Sequence, residues 1–174
     1  QFSATADQGS TSKRGVVNSD NPLDLVAMAL QLGATYVARG FSGDKQQLVP
    51  LIQGALAHQG AAFIDVISPC VAFNNHAGST KSYDYVREHN DSVNRLDVIE
   101  PQAEIAVEYP AGTTIEVRQH DGSILRLHKL DAGHDPRDRI GAMNYMQRQH
   151  AQGEIVTGLI YVDPEPHDLH QHLN

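Results

Sequence analysis

Cys70 is the only cysteine in the sequence, and its position suits chemistry better than that of any other residue. It follows Ile67-Ser68-Pro69, just past the end of a predicted strand. Ligands of α/β sheets gather beyond the carboxyl ends of the strands, and Pro69 cannot extend the pairing, so we expect the thiol on a loop at that edge. The other interpretation is a buried structural cysteine, and spacing alone favours it because free cysteine is so often buried.

The polar segment that follows, residues 73–80, is rich in Asn, Gly, Ser and Thr. It could bind a polar ligand through side-chain amides and backbone N–H groups, or it could be an ordinary surface loop. Cys70 and His76 do not suffice for a structural zinc site, which takes four ligands. The sequence also has no phosphate-binding glycine loop, serine nucleophile elbow or His-Glu-x-x-His motif.

Alternating helices and strands position these residues. Helical spacing of apolar residues predicts a helix from residue 21 to Gly33 and a second helix from Asp44 to Gly60, with Pro50 causing a late start or a kink. Short apolar runs predict strands at residues 35–38 and 62–67. This order favours an α/β fold in which both strands are parallel and buried on both faces.

After residue 100 the apolar residues change from helical spacing to alternation with polar residues. Alternating apolar residues predict a hairpin in which Val117 pairs with Leu125 and Ile115 pairs with Leu127. That register leaves a three-residue loop, with Gly122 in the left-handed conformation. A further helix is predicted at residues 136–149 and a last strand at 155–162.

Composition excludes several classes of protein. The chain has 174 residues, 40% of them hydrophobic and 20% charged, which is typical of a globular protein with a core. No apolar run is long enough for a membrane span. The net charge of −8 argues against nucleic-acid binding. A lone thiol and the lack of a visible export signal predict a cytoplasmic location, and the absence of an initial Met suggests a fragment or a processed product.

Four stretches resemble one family. Residues 63–76, which read Phe-Ile-Asp-Val-Ile-Ser-Pro-Cys-Val-Ala-Phe-Asn-Asn-His, look like the beta subunit of 2-oxoacid:ferredoxin oxidoreductases, most closely the 2-oxoglutarate type. Residues 36–44 resemble the same subunit, residues 1–5 resemble the end of its thiamine-site segment, and residues 158–163 resemble its closing strand. The resemblance extends over nearly the whole chain, which would correspond to the C-terminal half of that subunit.

The resemblance implies a fold. Residues 1–100 would be the C-terminal part of a thiamine diphosphate-binding domain with a doubly wound parallel sheet. Residues 101–174 would be a C-terminal extension of the same subunit, made of the hairpin, a helix, a strand and a tail.

The resemblance also implies a chemistry. In this family a 2-oxoacid is oxidatively decarboxylated to an acyl-coenzyme A, and electrons pass through iron–sulfur clusters to ferredoxin. Cys70 would be a ligand of a 4Fe-4S cluster, which thiolates hold. Gln1, Ser3 and Thr5 would lie at the end of the thiamine-site segment. Thiamine diphosphate and magnesium would be cofactors completed by residues outside this chain, and the protein partners would be an alpha subunit and ferredoxin.

The chain also departs from the family pattern. The other three cluster cysteines and the Gly-Asp-Gly…Asn motif that holds the magnesium and the diphosphate lie upstream of Gln1 in the family. We therefore expect the chain alone to be inactive. Two alternatives stay open: a non-catalytic assembly module that has kept the fold, and a thiamine-dependent decarboxylase relative without clusters.

Overall fold

The computed structural model describes residues 8–9, 15–68, 104–119 and 124–167. The helices in this part of the chain are α1 (Leu25–Gln31), α2 (Lys45–Ala57) and α3 (Arg139–Ala151). The strands are β1 (Tyr36–Phe41), β2 (Ala62–Ile67), β3 (Thr114–Arg118), β4 (Ile124–Lys129) and β5 (Ile155–Val162). None of the described helices is long and apolar enough to cross a membrane.

The first two strands form the predicted parallel pair. β1 and β2 run in register from Tyr36 opposite Ala62 to Phe41 opposite Ile67, and α2 connects them. Every residue of β1 is buried, as expected, but β2 is only half-buried because it lies at the edge of the sheet that the described strands form. The expectation of full burial was therefore right for β1 and wrong for β2.

In the described part of the chain, strands from residues 1–100 and from residues 101–174 share one five-stranded sheet, in the order β2-β1-β5-β4-β3. β5 lies at its centre, antiparallel to β1 and parallel to β4. β3 and β4 form the predicted hairpin, with Val117 opposite Leu125 and Ile115 opposite Leu127. The prediction for Gly122 falls outside the described residues.

Helices cover both faces of this sheet, so the fold is α/β as predicted. On one face, residues of α1 and α3 pack against Val37, Val156 and Ile160. On the other face, Leu51 of α2 packs against Tyr36 and Ala38. Side chains of a strand alternate between the two faces, so both sets of apolar residues are buried.

Aspartates begin the first two helices. Asp24 caps α1 by accepting hydrogen bonds from the N–H groups of Val26 and Ala27 at 3.0 and 3.2 Å, so α1 begins at Leu25 and not at residue 21. Asp44 caps α2 by accepting from the N–H of Gln47 at 3.1 Å, as the capping pattern predicts. α2 runs from Lys45 through Pro50 and does not start late.

Arg39 ties the parallel pair to α1 from a buried position. Its Nη2 lies 2.6 Å from Asp24 Oδ1, and its Nε lies 2.8 Å from Asp65 Oδ2. Asp65 is the residue directly opposite Arg39 on β2. The guanidinium therefore satisfies the capping aspartate and the neighbouring strand at the same time.

Candidate functional site

The candidate site is the edge of the sheet where β1 and β2 end. Both strands end together, and the N–H of Ser42 donates to the carbonyl of Ile67 at 2.8 Å. Cys70 follows Ile67 by three residues in the sequence and lies outside the described residues. The strand leading into Cys70 thus ends at the carboxyl edge of a parallel pair, as predicted, and the role of the thiol stays a prediction. Gln1, Ser3 and Thr5 also lie outside the described residues.

A segment that is neither helix nor strand, residues 104–109, lies across this edge. The N–H of Val107 donates to the carbonyl of Gly43 at 3.0 Å, and Lys45 Nζ lies 2.6 Å from Glu104 Oε1. Together with Gly43 and the start of α2, the segment lines an open groove of about 320 Å³. That volume is at the lower end of the range for ligand sites, and charged side chains stand at its rim.

Gly43 makes the close approach of this segment possible. A Cβ atom built there would lie 1.8 Å from the carbonyl oxygen of Ile105, which is backbone and cannot rotate away. Any side chain at this position would push residues 104–109 off the sheet edge.

We expect Gly43→Ala to lower the free energy of unfolding by about 1–3 kcal/mol, because overpacking at a backbone contact forces a backbone shift. The melting temperature of a chain this size should fall by roughly 2–4 °C per kcal/mol. Gly133→Ala is the matched control, since a Cβ there meets nothing within 4 Å. Equal melting temperatures for the two variants would show that the segment does not pack on Gly43 in solution.

A buried ion pair connects the start of α2, next to this sheet edge, to the end of β4. Asp44 is 1% exposed, and its Oδ2 lies 2.6 Å from Lys129 Nζ at the end of β4. Lys129 Nζ also lies 4.4 Å from the centre of the Tyr109 ring, and the Tyr109 hydroxyl is 2.8 Å from Thr157 Oγ1. These contacts join the start of α2 to β4, to β5 and to the crossing segment.

The electrostatics keep Tyr109 neutral. Burial raises the pKa of its phenol, and the nearby Asp44 carboxylate raises it further, while the hydrogen bond with Thr157 lowers it. The hydroxyl therefore keeps its proton at physiological pH. Burial also raises the pKa values of Tyr36 and Tyr145.

A second polar network lies on the face covered by α3. His128 Nδ1 lies 2.8 Å from Thr114 Oγ1 and 3.5 Å from Glu154 Oε2, and its Nε2 lies 2.7 Å from the Tyr145 hydroxyl. That hydroxyl donates to Asp131 at 2.8 Å. His128 and Glu154 are both buried, and the network ties the hairpin and Glu154, the residue before β5, to α3.

Sequence reasoning missed both polar groups. The sequence pattern indicates only that Asp44 caps a helix, and its partner Lys129 lies 85 residues further along the chain. His128 and Lys129 look like ordinary polar positions of an alternating strand. No local signal in the sequence joins these residues, because their contacts depend on the tertiary fold.

The metal-ligating side chains of the chain limit which metal ion or cluster it could bind. Among residues 8–9, 15–68, 104–119 and 124–167, no group of three or more His, Cys, Asp or Glu is placed to hold a metal ion. The whole sequence has one cysteine, and a 4Fe-4S cluster is held by four thiolates. The chain could therefore supply at most one of the four thiolates of such a cluster.

Comparisons by sequence find subunits of enzymes described as 2-oxoacid or 2-oxoglutarate oxidoreductases or as 2-oxoglutarate synthase. The chain is 40% identical over 58 residues to a 2-oxoacid:ferredoxin oxidoreductase subunit beta from Sulfolobus sp., in a match that covers 33% of this chain and 19% of that protein. It is 33% identical over 76 residues to the 2-oxoglutarate oxidoreductase subunit KorB of Mycobacterium tuberculosis, in a match that covers 43% of this chain and 20% of that protein. It is 28% identical over 135 residues to the 2-oxoglutarate synthase subunit KorB of Methanocaldococcus jannaschii, in a match that covers 75% of this chain and 49% of that protein. No family model matches the chain.

A solved structure shares the fold along nearly the whole chain. It is the 2-oxoglutarate:ferredoxin oxidoreductase from Magnetococcus marinus with 2-oxoglutarate, coenzyme A and succinyl-CoA bound. The TM-score is 0.63 at 25% identity, and the match covers 99% of this chain and 45% of that chain. The chain thus spans less than half the length of these relatives. It is related in sequence to the beta subunits of 2-oxoacid:ferredoxin oxidoreductases and in fold to an enzyme of that kind.

Proposed function

We propose that this chain is part of the beta subunit of a 2-oxoglutarate:ferredoxin oxidoreductase. In that enzyme a 2-oxoacid loses carbon dioxide, its acyl carbon forms a thioester with coenzyme A, and the released electron pair goes to ferredoxin. The observation that carries the proposal is the match along 99% of the chain to a solved enzyme described with 2-oxoglutarate and coenzyme A bound. The KorB relatives support the same substrate.

In this proposal the site is completed by protein outside the chain. When bound, thiamine diphosphate with magnesium would supply the decarboxylation chemistry, and a 4Fe-4S cluster would supply the electron path. Cys70 would provide one of the four cluster thiolates, and Gln1, Ser3 and Thr5 would line the thiamine segment. An alpha subunit and ferredoxin would be the protein partners, in the cytoplasm.

The described residues would have a positioning role. β1 and β2 end side by side, and the Asp44–Lys129 ion pair with the Tyr109 stack holds the start of α2 beneath that edge. A rigid edge would keep the loop after β2 in a fixed position relative to a neighbouring cofactor. The crossing segment 104–109 would then form one wall next to the site.

The isolated chain should not bind thiamine diphosphate with magnesium at micromolar concentration, because the diphosphate anchor lies outside it. Isothermal titration calorimetry measures this directly. Co-expression with the alpha subunit and with the missing part of a beta subunit should produce micromolar binding. Micromolar binding by the chain alone, or none by the assembled protein, would contradict the proposal.

A further inference from the structure

β3 is the last strand of the described sheet on the side away from β2. In the part of the chain that the structure describes, its strand neighbour is β4. Glu116 and Arg118 share one face of β3, since side chains two residues apart in a strand lie on the same face, and both are exposed. The edge of β3 therefore carries one acidic and one basic side chain, two residues apart.

The backbone groups that β3 leaves unpaired belong to these same two residues. The carbonyl of Thr113 accepts from the N–H of Lys129 at 3.0 Å, so the polar groups of Thr113 point toward β4. Hydrogen-bonded and non-hydrogen-bonded pairs alternate along an antiparallel ladder, so every second residue after Thr113 also points toward β4. The residues in between, which include Glu116 and Arg118, direct their N–H and C=O groups away from the sheet.

Both charged side chains can accept a further partner. Arg118 lies opposite Ile124, and its guanidinium forms no ion pair or hydrogen bond within the described part of the chain. Glu116 is 67% exposed, and the nearest cation, Arg126 Nε, lies 3.9 Å from its carboxylate. Arg126 makes its closer ion pair with Glu154, at 2.9 Å.

We propose that two copies of this chain associate through β3, with the two β3 strands antiparallel and centred on Val117. This register places Glu116 of each copy opposite Arg118 of the other copy, on the same face of the joined sheet. Because both residues direct their backbone groups outward, each of the two pairs can exchange two N–H···O=C hydrogen bonds. The two sheets then become one continuous sheet across a two-fold axis.

The order of the charges selects this register. Centring the pair on Glu116 would set the two glutamates directly opposite one another, and centring it on Arg118 would do the same for the two arginines. Like charges directly opposite one another destabilise a strand pair, whereas opposite charges stabilise it. Among these three arrangements, the one centred on Val117 matches opposite charges at both crossing points.

The same charges favour a second copy over a merely guarded edge. Guarded edges use lysine, proline or bulges, and β3 reads Thr-Ile-Glu-Val-Arg. Charges of one sign would repel a second copy, but an acidic and a basic residue two positions apart become complementary when the strand is reversed. Because one strand edge of each copy buries little surface, we expect a reversible dimer whose population rises with protein concentration.

Sedimentation velocity of the whole chain over a series of concentrations tests the proposal. Arg118→Glu should weaken the dimer about tenfold or more, because it sets two acidic side chains opposite one another at both pairs. Adding Glu116→Arg exchanges the two charges and should restore the dimer, which it would not do if Arg118→Glu acted by unfolding the chain.

Arg137→Glu is the matched control, since it makes the same change of charge at an exposed residue. Arg137 follows Pro136, whose carbonyl accepts from the N–H of Val162 at the end of β5 at 2.8 Å, so it lies away from the edge of β3. This variant should leave the dimer unchanged.

Hydrogen exchange followed residue by residue tests the strand pairing itself. The amides of Glu116 and Arg118 should exchange slowly in the dimer and rapidly after dilution to the monomer. The amide of Val117, which points toward β4, should exchange slowly in both states and is the internal reference.

The opposite results overturn the proposal. A chain that stays monomeric at every concentration would refute it, as would a dimer that Arg118→Glu does not weaken or that the exchanged pair of charges does not restore. Slow exchange of the Glu116 and Arg118 amides in the monomer would show that the chain's own residues cover the edge. Protection that appears only when an alpha subunit is added would assign the edge to that subunit.

Discussion

Cys70→Ser should cost the assembled enzyme part of its cluster while leaving the fold intact. Serine is nearly isosteric with cysteine, but its hard oxygen is a poor ligand for cluster iron, which thiolate sulfur binds. A cluster that loses one ligand easily loses the iron held there, so we expect about a quarter less iron for each subunit. Ferredoxin reduction should slow on the order of tenfold or more, because even groups that only orient metal ligands change activity by about 10–100-fold.

The measurement compares iron content, the paramagnetic resonance spectrum of the reduced complex and the rate of ferredoxin reduction. Ser68→Ala is the matched control, since it removes a polar group from the same short segment without touching the thiol. An unchanged spectrum and unchanged iron in Cys70→Ser would identify Cys70 as a core thiol, the alternative that its spacing leaves open.

Asp44→Ala should be among the most destabilising substitutions in the described part of the chain. It removes the cap of α2. It also removes the carboxylate that lies 2.6 Å from Lys129 Nζ, and the Lys129 side chain is only 16% exposed. Breaking a buried pair from one side costs about 3–5 kcal/mol, and the loss of a cap about 1 kcal/mol. Because Lys129 keeps some access to water, we expect a total near the lower end, about 3 kcal/mol, from chemical denaturation.

Two variants separate the ion pair from the cap. Asp138→Ala removes the cap of α3. The Asp138 side chain accepts from the N–H of Gly141 at 2.9 Å and has no cationic partner among the described contacts. It should cost about 1 kcal/mol. Asp44→Asn keeps a capping oxygen and should fall between the two. If Asp44→Ala costs no more than Asp138→Ala, the pair with Lys129 does not contribute to stability.

Local patterns predicted the parallel pair, the start of α2 and the hairpin. The alternation of helix and strand indicated the parallel pair, and the capping pattern at Asp44 indicated the start of α2. The hairpin register followed from matching Val117 with Leu125, because a slip of one residue would turn the apolar side chains to the other face. These features depend on neighbours within a few residues or on one face of a strand.

The position of β5 could not be predicted in the same way. Its apolar residues suit a central strand, but an apolar strand can pair in either direction with several neighbours. Its place between β1 and β4 depends on the return of α3 across the sheet, which no short segment encodes. The edge position of β2 follows from that arrangement, since β5 occupies the other side of β1.

The candidate site was predictable in part. The place of Cys70 after a strand in α/β order indicated the carboxyl edge, and the structure ends β1 and β2 together there. The tight packing of segment 104–109 on Gly43 was not predictable, because a glycine in a loop is most often only a turn residue. The partners of Asp44 and His128 also depend on long-range contacts, so no spacing along the chain identifies them.

The most direct test of the central claim is an assay of the assembled enzyme. The chain is co-expressed with the missing part of a beta subunit and an alpha subunit, and the reduction of ferredoxin is followed by absorbance. We predict reduction that requires both 2-oxoglutarate and coenzyme A, is lost without thiamine diphosphate, and is slower with pyruvate. An assembled complex with bound thiamine diphosphate and iron that reduces no ferredoxin from 2-oxoglutarate or any other 2-oxoacid would contradict the account.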